Sequence, residues 1–99
     1  MRVRWLSQAL ANLDAVGEYI ARDNPVAAAA TVRRILDAVD SLAASPNVNV
    51  GRPGRVAGTR ELVVTPNYLV PYRVKRDVLE VLRVMRARQR WPTRLPNLQ

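Results

Sequence analysis

Three arginines at alternate positions, Arg86, Arg88 and Arg90, follow a run of β-prone aliphatic residues and end at the pair Trp91-Pro92. Alternation places side chains on one face of an extended chain. The three form a ladder if the geometry of Val78, Leu79, Val81, Leu82 and Val84, which reads as a strand buried on both faces, persists past Val84. A guanidinium is a planar fork of donors that fits carboxylate or phosphate oxygens, and it stays protonated at physiological pH. Its chemistry is binding of an anionic surface rather than proton transfer. Arginines at a strand exit also keep a sheet edge from aggregating. It is the clustering of Arg86, Arg88 and Arg90 beside Trp91 that points to a functional surface.

The rest of the composition points the same way. Among 99 residues there is no His and no Cys, which removes the commonest general base, the commonest metal ligand, the thiol nucleophile and any disulfide framework. No catalytic residue, metal ligand or cofactor is assigned. The formal charge is +8, and Lys75 is the only lysine. Residues 1–50 balance five arginines against five acids, whereas residues 51–99 set eleven bases against Glu61, Asp77 and Glu80. A basic surface confined to one part of the molecule suits nucleic acid or an acidic protein segment. No apolar run approaches the ~20 residues that span a bilayer, and MRVRWLSQAL lacks a signal-peptide core. A soluble, cytoplasmic protein without a membrane partner is expected, folded as one domain over residues 1–99.

The elements that would position these residues can be read in order. Arg2 to Trp5 alternates basic and apolar residues and is short enough for a first strand. Ser7 offers an N-cap to a helix whose face is Ala9, Leu13, Val16 and Ile20, running to about Arg22. Asn24 caps a second helix, with Pro25 at its first position, and Ala28, Val32, Ile35, Leu36, Val39, Leu42 and Ala43 form its apolar stripe to about Ala44. The short link between them predicts an antiparallel helical hairpin.

Ser45 to Gly58 reads as an irregular connection. Its GRPGRVAG segment is not a phosphate loop, since no Lys-Ser or Lys-Thr pair and no strand-to-helix context accompany it. Two strands then flank a turn with Pro66 and Asn67 at its centre, one fixing φ and the other tolerating positive φ, and a second turn at Lys75-Arg76-Asp77 leads into the final strand. Pro71 must sit at a bulge or face away from the ladder. The fold class is α+β: a small antiparallel sheet packed against an N-terminal helical hairpin, in the order β-α-α-β-β-β. Residues 92–99 form a loose tail.

Val3 and Trp5, Tyr19-Ile20 with Asn24-Pro25, the block GRPGRVAGTRELVV from Gly51 to Val64, Tyr68 to Val74 and the closing LRVMRARQRWP together resemble the RelE/ParE superfamily of type II toxins, in its ParE-like, plasmid-stabilisation branch. That resemblance spans nearly the whole chain and implies the same fold. It implies a cognate antitoxin, whose acidic C-terminal segment wraps the toxin in a hetero-oligomer, and opposite charge would speed their encounter. Arg60, Arg73 and Arg83 are the residues assigned to that anionic segment. For the target, ParE-like members are associated with poisoning DNA gyrase, an act of binding. RelE-like members are ribosome-dependent messenger RNA endonucleases, for which Arg60, Arg73 and Arg88 would hold the phosphate and Tyr68, Tyr72, Glu61 or Glu80 would move the proton. Relatives commonly carry His at the position of Arg86, so His-based chemistry does not transfer. A solvated or antitoxin-facing role is expected for Glu61 and Glu80. An inactive homologue kept for antitoxin binding and operon regulation is the remaining reading.

Overall fold

The structure, a computed structural model, describes residues 1–48 and 51–88. Arg90, Trp91 and the tail at 92–99 lie outside the described residues. The chain runs β1 (Arg2–Trp5), α1 (Ser7–Ala21), α2 (Pro25–Ala44), β2 (Arg52–Pro53), β3 (Arg60–Val63), β4 (Tyr68–Lys75), β5 (Val78–Val81) and β6 (Met85–Arg86). The α+β class and the helical hairpin are as expected, with two additional short strands, β2 and β6. The sheet has the order β1-β5-β4-β3-β2, and β6 pairs with β4. It is mixed: β1 runs parallel to β5, while the other pairs are antiparallel. No tight turn joins β1 to β5, since both helices and three strands intervene, so local sequence does not set their relative sense.

The helix boundaries follow local chemistry. The Asn24 side chain accepts from Ala27 N at 3.0 Å, and Pro25 takes the first position of α2, where its missing N–H is not needed. At α1 the expectation fails: the N-cap position is Leu6, with no side-chain cap, and Ser7 is already helical. Leu6 is buried, and its N–H donates to Val81 O, so tertiary contact rather than a cap starts this helix.

Ala9, Leu13, Ile35, Val39, Leu42 and Ala43 pack against Leu79, Val81, Val70 and Tyr72 of the sheet. Each large aliphatic buried here contributes roughly 1.5–3 kcal/mol. The opposite face also buries Leu69, Pro71, Leu82 and Met85.

The hairpin of β4 and β5 turns through Arg76 (φ 51) and Asp77 (φ 63), both left-handed, which gives the twist that antiparallel strands need in a two-residue loop. The turn between β3 and β4 is held differently from expectation. Asn67 does not take positive φ; instead the Thr65 hydroxyl accepts from Asn67 N and Tyr68 N, each at 3.1 Å.

Pro71 lies at a bulge, one of the two arrangements expected for it. Val81 pairs with Tyr72, and Met85 pairs with Leu69. Two residues of β4 therefore face three of the returning chain, Leu82, Arg83 and Val84. Leu82 N–H donates to Pro71 O at 2.9 Å, and Pro71 has no N–H to return. The displaced N–H of Val84 donates instead to Asn12 Oδ1 of α1 at 3.2 Å.

Two buried polar groups hold the long connection to the sheet. The Tyr72 hydroxyl donates to Val48 O at 2.8 Å and accepts from Gly51 N at 3.0 Å, while Arg60 Nε donates to Gly51 O at 2.8 Å. A Cβ on Gly51 would stand 2.6 Å from that hydroxyl and 2.9 Å from Glu61 O, so only glycine fits. Glu61, 1% exposed, accepts from Arg52 Nη2 at 3.0 Å on one oxygen and from Arg55 N at 3.2 Å on the other.

Two outcomes follow for these locks. Tyr72→Phe leaves the Gly51 N–H without its acceptor and should lower unfolding stability by about 1–3 kcal/mol, read as a lower urea midpoint at unchanged slope. Glu61→Gln should cost about 2 kcal/mol and accelerate amide hydrogen exchange at Gly54 and Arg55, while the amides of α2 keep their protection relative to global unfolding.

Candidate functional site

The bulge determines where the arginines go. Because the chain steps aside at residues 82–84, β5 ends at Val81 and β6 is only Met85–Arg86, with Ala87 and Arg88 in a turn. The ladder is not one continuous strand. Arg86 and Arg88 are nevertheless both exposed and line one hollow beside the turn between β3 and β4, and Ala87 N–H donates to Asn67 O at 2.8 Å.

Arg86 pairs across the ladder with Tyr68, and its guanidinium carbon lies 6.0 Å from the ring centre of Tyr19. Arg22 stands at the same distance from that ring. Asn12, Ala15, Val16 and Tyr19 recur at helical spacing, so one face of α1 forms a wall of a cleft of about 380 Å³ whose lining also includes Tyr68 and Arg86. A second hollow, of about 780 Å³, is lined by Pro66, Asn67, Tyr68, Arg86, Ala87 and Arg88. Tyr19 is 59% exposed. Two aromatic rings and three guanidinium groups thus border one rim, which can stack on flat groups and hold anions.

In the sequence Tyr19 enters only among the residues that carry the family resemblance. Its place beside Arg86 depends on how α1 crosses the sheet, a long-range fact. The helical spacing of Asn12, Val16 and Tyr19 is the signal that would have joined them.

Of the three arginines assigned to an anionic partner, Arg60 and Arg73 both line a hollow of about 430 Å³ beside residues 53–59, and Arg83 is not part of that lining. Register puts Arg60 opposite Tyr72, on the helix side of the sheet, so Arg73 lies on the other face. Arg60 is occupied at Gly51 O, and Arg73 Nε donates to Glu80 Oε1 at 2.6 Å. Arg83 falls in the bulge, half-buried, with its Nε unpartnered among the described residues. Arg88 is distant from Arg60 as well: β6 pairs with the start of β4, and Arg60 pairs about 13 Å further along it.

Nor are the two glutamates solvated. Glu80, 5% exposed, sits between Arg73 and Arg4, the latter at 3.7 Å, much as Glu61 sits between Arg52 and Arg55. The arginines come from neighbouring strands or from the connection, so strand parity alone does not reveal them. With the Tyr72 hydroxyl also spent inside the fold, Tyr68 is the proposed proton-transfer group that the rim retains.

Charge divides by layer more sharply than by sequence half. Residues 7–44, the helical layer, carry three arginines and five acids, whereas the other described residues carry eleven bases and three acids. The excess of bases lies on the sheet side. No described helix is long and apolar enough to cross a membrane.

Residues 3–91 match the family model of the ParE toxin of the type II toxin–antitoxin system parDE. The Y4kP protein of Sinorhizobium fredii (strain NBRC 101917 / NGR234) is 53% identical over 92 residues, covering 92% of this chain and 93% of its own. Toxin RelE2 of Caulobacter vibrioides is 38% identical over 88 residues, covering 87% of this chain and 94% of its own. Among solved structures, a chain of the chromosomal ParDE TA system from P. aeruginosa superposes with a TM-score of 0.78 at 33% identity, covering 87% of this chain and 95% of that one. With its helical hairpin on a mixed sheet and a family match over most of its length, this chain belongs to the ParE toxin family of type II toxin–antitoxin systems.

Proposed function

We propose that this toxin, held inactive by its cognate antitoxin, arrests growth by binding DNA gyrase through the rim formed by Arg86, Arg88 and Tyr19, with Arg90 and Trp91, outside the described residues, assigned to the same target, and that it does so without catalysis. The observation that carries this reading is the state of the candidate proton acceptors. Glu61 and Glu80 are each held in two ion pairs, the Tyr72 hydroxyl is used inside the fold, and the chain has no His. What the rim offers is cations beside aromatic rings, a combination suited to adhesion. The match to a parDE toxin model supports the same branch of the superfamily.

One observation favours a second reading. Tyr68 lies directly across from Arg86, and both line the same cleft, so a tyrosine and a guanidinium stand together where a phosphate would fit. On that reading the toxin cleaves messenger RNA on the ribosome.

A gyrase supercoiling assay with antitoxin-free protein separates the two. Gyrase poisoning predicts loss of supercoiled plasmid with accumulation of linear DNA. Arg86→Glu combined with Arg88→Glu should then raise the half-inhibitory concentration at least about ten-fold, a loss of ~1.4 kcal/mol, with an unchanged thermal transition. Retained potency in that double variant would remove the rim from the target interface. Unchanged supercoiling by folded protein that still arrests growth, together with messenger RNA cut in the ribosomal A site and loss of cutting in Tyr68→Phe, would establish the nuclease reading. Absence of growth arrest on expression without antitoxin would mark an inactive homologue.

A further inference from the structure

The sheet face turned away from the helices carries a second basic surface, which the rim does not include. Strand register aligns Arg2 with Val78 and Lys75, and aligns Arg4 with Glu80 and Arg73. Residues that pair across strands share a face, so Arg2 and Arg4 form one row along β1, and Arg73 and Lys75 form another along β4. Arg76, in the turn that follows β4, extends the second row. A hollow of about 570 Å³ is lined by Arg2, Arg4, Lys75, Arg76, Val78 and Glu80, with Val3 at its edge.

The geometry points to the phosphate backbone of duplex DNA as the ligand of this face, held by Arg2, Arg4, Arg73, Lys75 and Arg76. Within each row the Cα atoms of residues two apart stand ~6.7 Å from one another, and the backbones of the two rows are two strand spacings, ~9.6 Å, apart, with the Arg4 and Arg73 guanidinium groups converging on Glu80 between them. That separation is of the same order as the ~12 Å major groove dividing the two phosphate chains of a duplex. The buried Glu80 carboxylate fixes two of the four strand-borne cations, Arg4 and Arg73, so part of their ordering cost is met before a ligand arrives. Asp77, in the same turn as Arg76, is the acid that a phosphate chain would have to avoid.

A protein partner is the weaker fit. Stable protein interfaces depend on buried apolar or aromatic anchors, and this hollow offers only Val3 and Val78. Phosphate contacts need charge and donor geometry alone. This inference concerns a surface separate from the Arg86 rim and does not rest on gyrase being the target.

Fluorescence anisotropy of a labelled 20-base-pair duplex of mixed sequence, titrated with antitoxin-free toxin across a range of salt, tests the assignment. Wild type should bind with a log–log salt slope near −4, from about 0.9 per neutralised phosphate. Arg2 and Lys75 are the residues to change, because both are exposed and neither belongs to the Glu80 ion pairs. Arg2→Glu with Lys75→Glu should weaken binding at least about ten-fold and flatten the slope by about two. The milder pair Arg2→Gln and Lys75→Gln should flatten it similarly and serves if charge reversal disturbs folding. Arg86→Glu with Arg88→Glu should have a smaller effect than either.

Failure of wild type to bind the duplex at low salt would overturn the assignment. So would wild-type affinity and slope in the folded Arg2 and Lys75 variants. A glutamate-rich peptide that binds wild type more tightly than duplex, and is lost in the same variants, would also overturn it and give the face to an acidic protein segment.

Discussion

A proline in a central strand sets much of this architecture. In a strand the N–H and C=O of one residue point to the same side, and Pro71 directs its carbonyl at Leu82. The missing donor therefore faces the returning chain, and the reciprocal bond that would continue the ladder cannot form. The chain takes an extra residue at this point, and the N–H of Val84, turned out of register, is received by Asn12 of α1. That bond ties the helical hairpin to the point where the sheet changes direction. The position of Arg86 beside Tyr19 follows from it, since both lie one short step from the pinned atoms: Arg86 two residues past Val84, and Tyr19 two turns along α1 from Asn12.

The buried glutamates answer a different constraint. Desolvating a lone carboxylate costs several kcal/mol, so each must be fully engaged where it lies. Both are bracketed by two arginines that keep part of their surface in solvent, which lowers the desolvation cost of the cations while charge-assisted hydrogen bonds satisfy the anion. The two brackets serve different structures. Arg52 and Arg55 attach the connection between helices and sheet to β3, and Arg55 Nη2 also reaches the Ala87 carbonyl at 3.5 Å. Arg4 and Arg73 clamp β1 and β4 across β5. Each unit retains a net positive charge, so burying acids in this way leaves the sheet face basic.

How far the sequence disclosed this depended on the range of the interaction. The α2 stripe, the Asn24 cap, the turn at Arg76 and Asp77 and the problem posed by Pro71 are set within a few residues, and all were legible from spacing and residue type. Ser7 failed as a cap because a contact between Leu6 and Val81, 75 positions apart, decides the start of α1. The exposed Arg86 and Arg88 were legible as a pair, but not their bent path, since the direction a bulge takes depends on Asn12 in another element. The grouping of Arg60, Arg73 and Arg83 rested on charge; Arg60 and Arg73 line one hollow although they start from opposite faces of the sheet, while Arg83 is carried into the bulge, which charge alone does not reveal. The parallel sense of β1 had no local signal.

The total charge of the chain is a poor guide to where an anion binds. The acidic and basic excesses lie on outward faces of opposite layers, and salt screens what each contributes through solvent beyond a Debye length of ~8 Å. A partner near the sheet therefore responds chiefly to the sheet's own excess of bases and feels little of the acidic helices behind it. Seen from the helical side the same molecule is weakly acidic. Long-range attraction can thus bring an anionic partner to the correct side, but it cannot choose between the rim at Arg86 and the rows on β1 and β4, which lie on the same basic layer. That choice falls to contact chemistry. The rim has Tyr19 and Tyr68 to stack against and a helix wall that includes Ala15 and Val16, and the rows have guanidinium groups without aromatic anchors. Two basic surfaces of equal sign therefore present different contact chemistry, and would suit partners of different kinds.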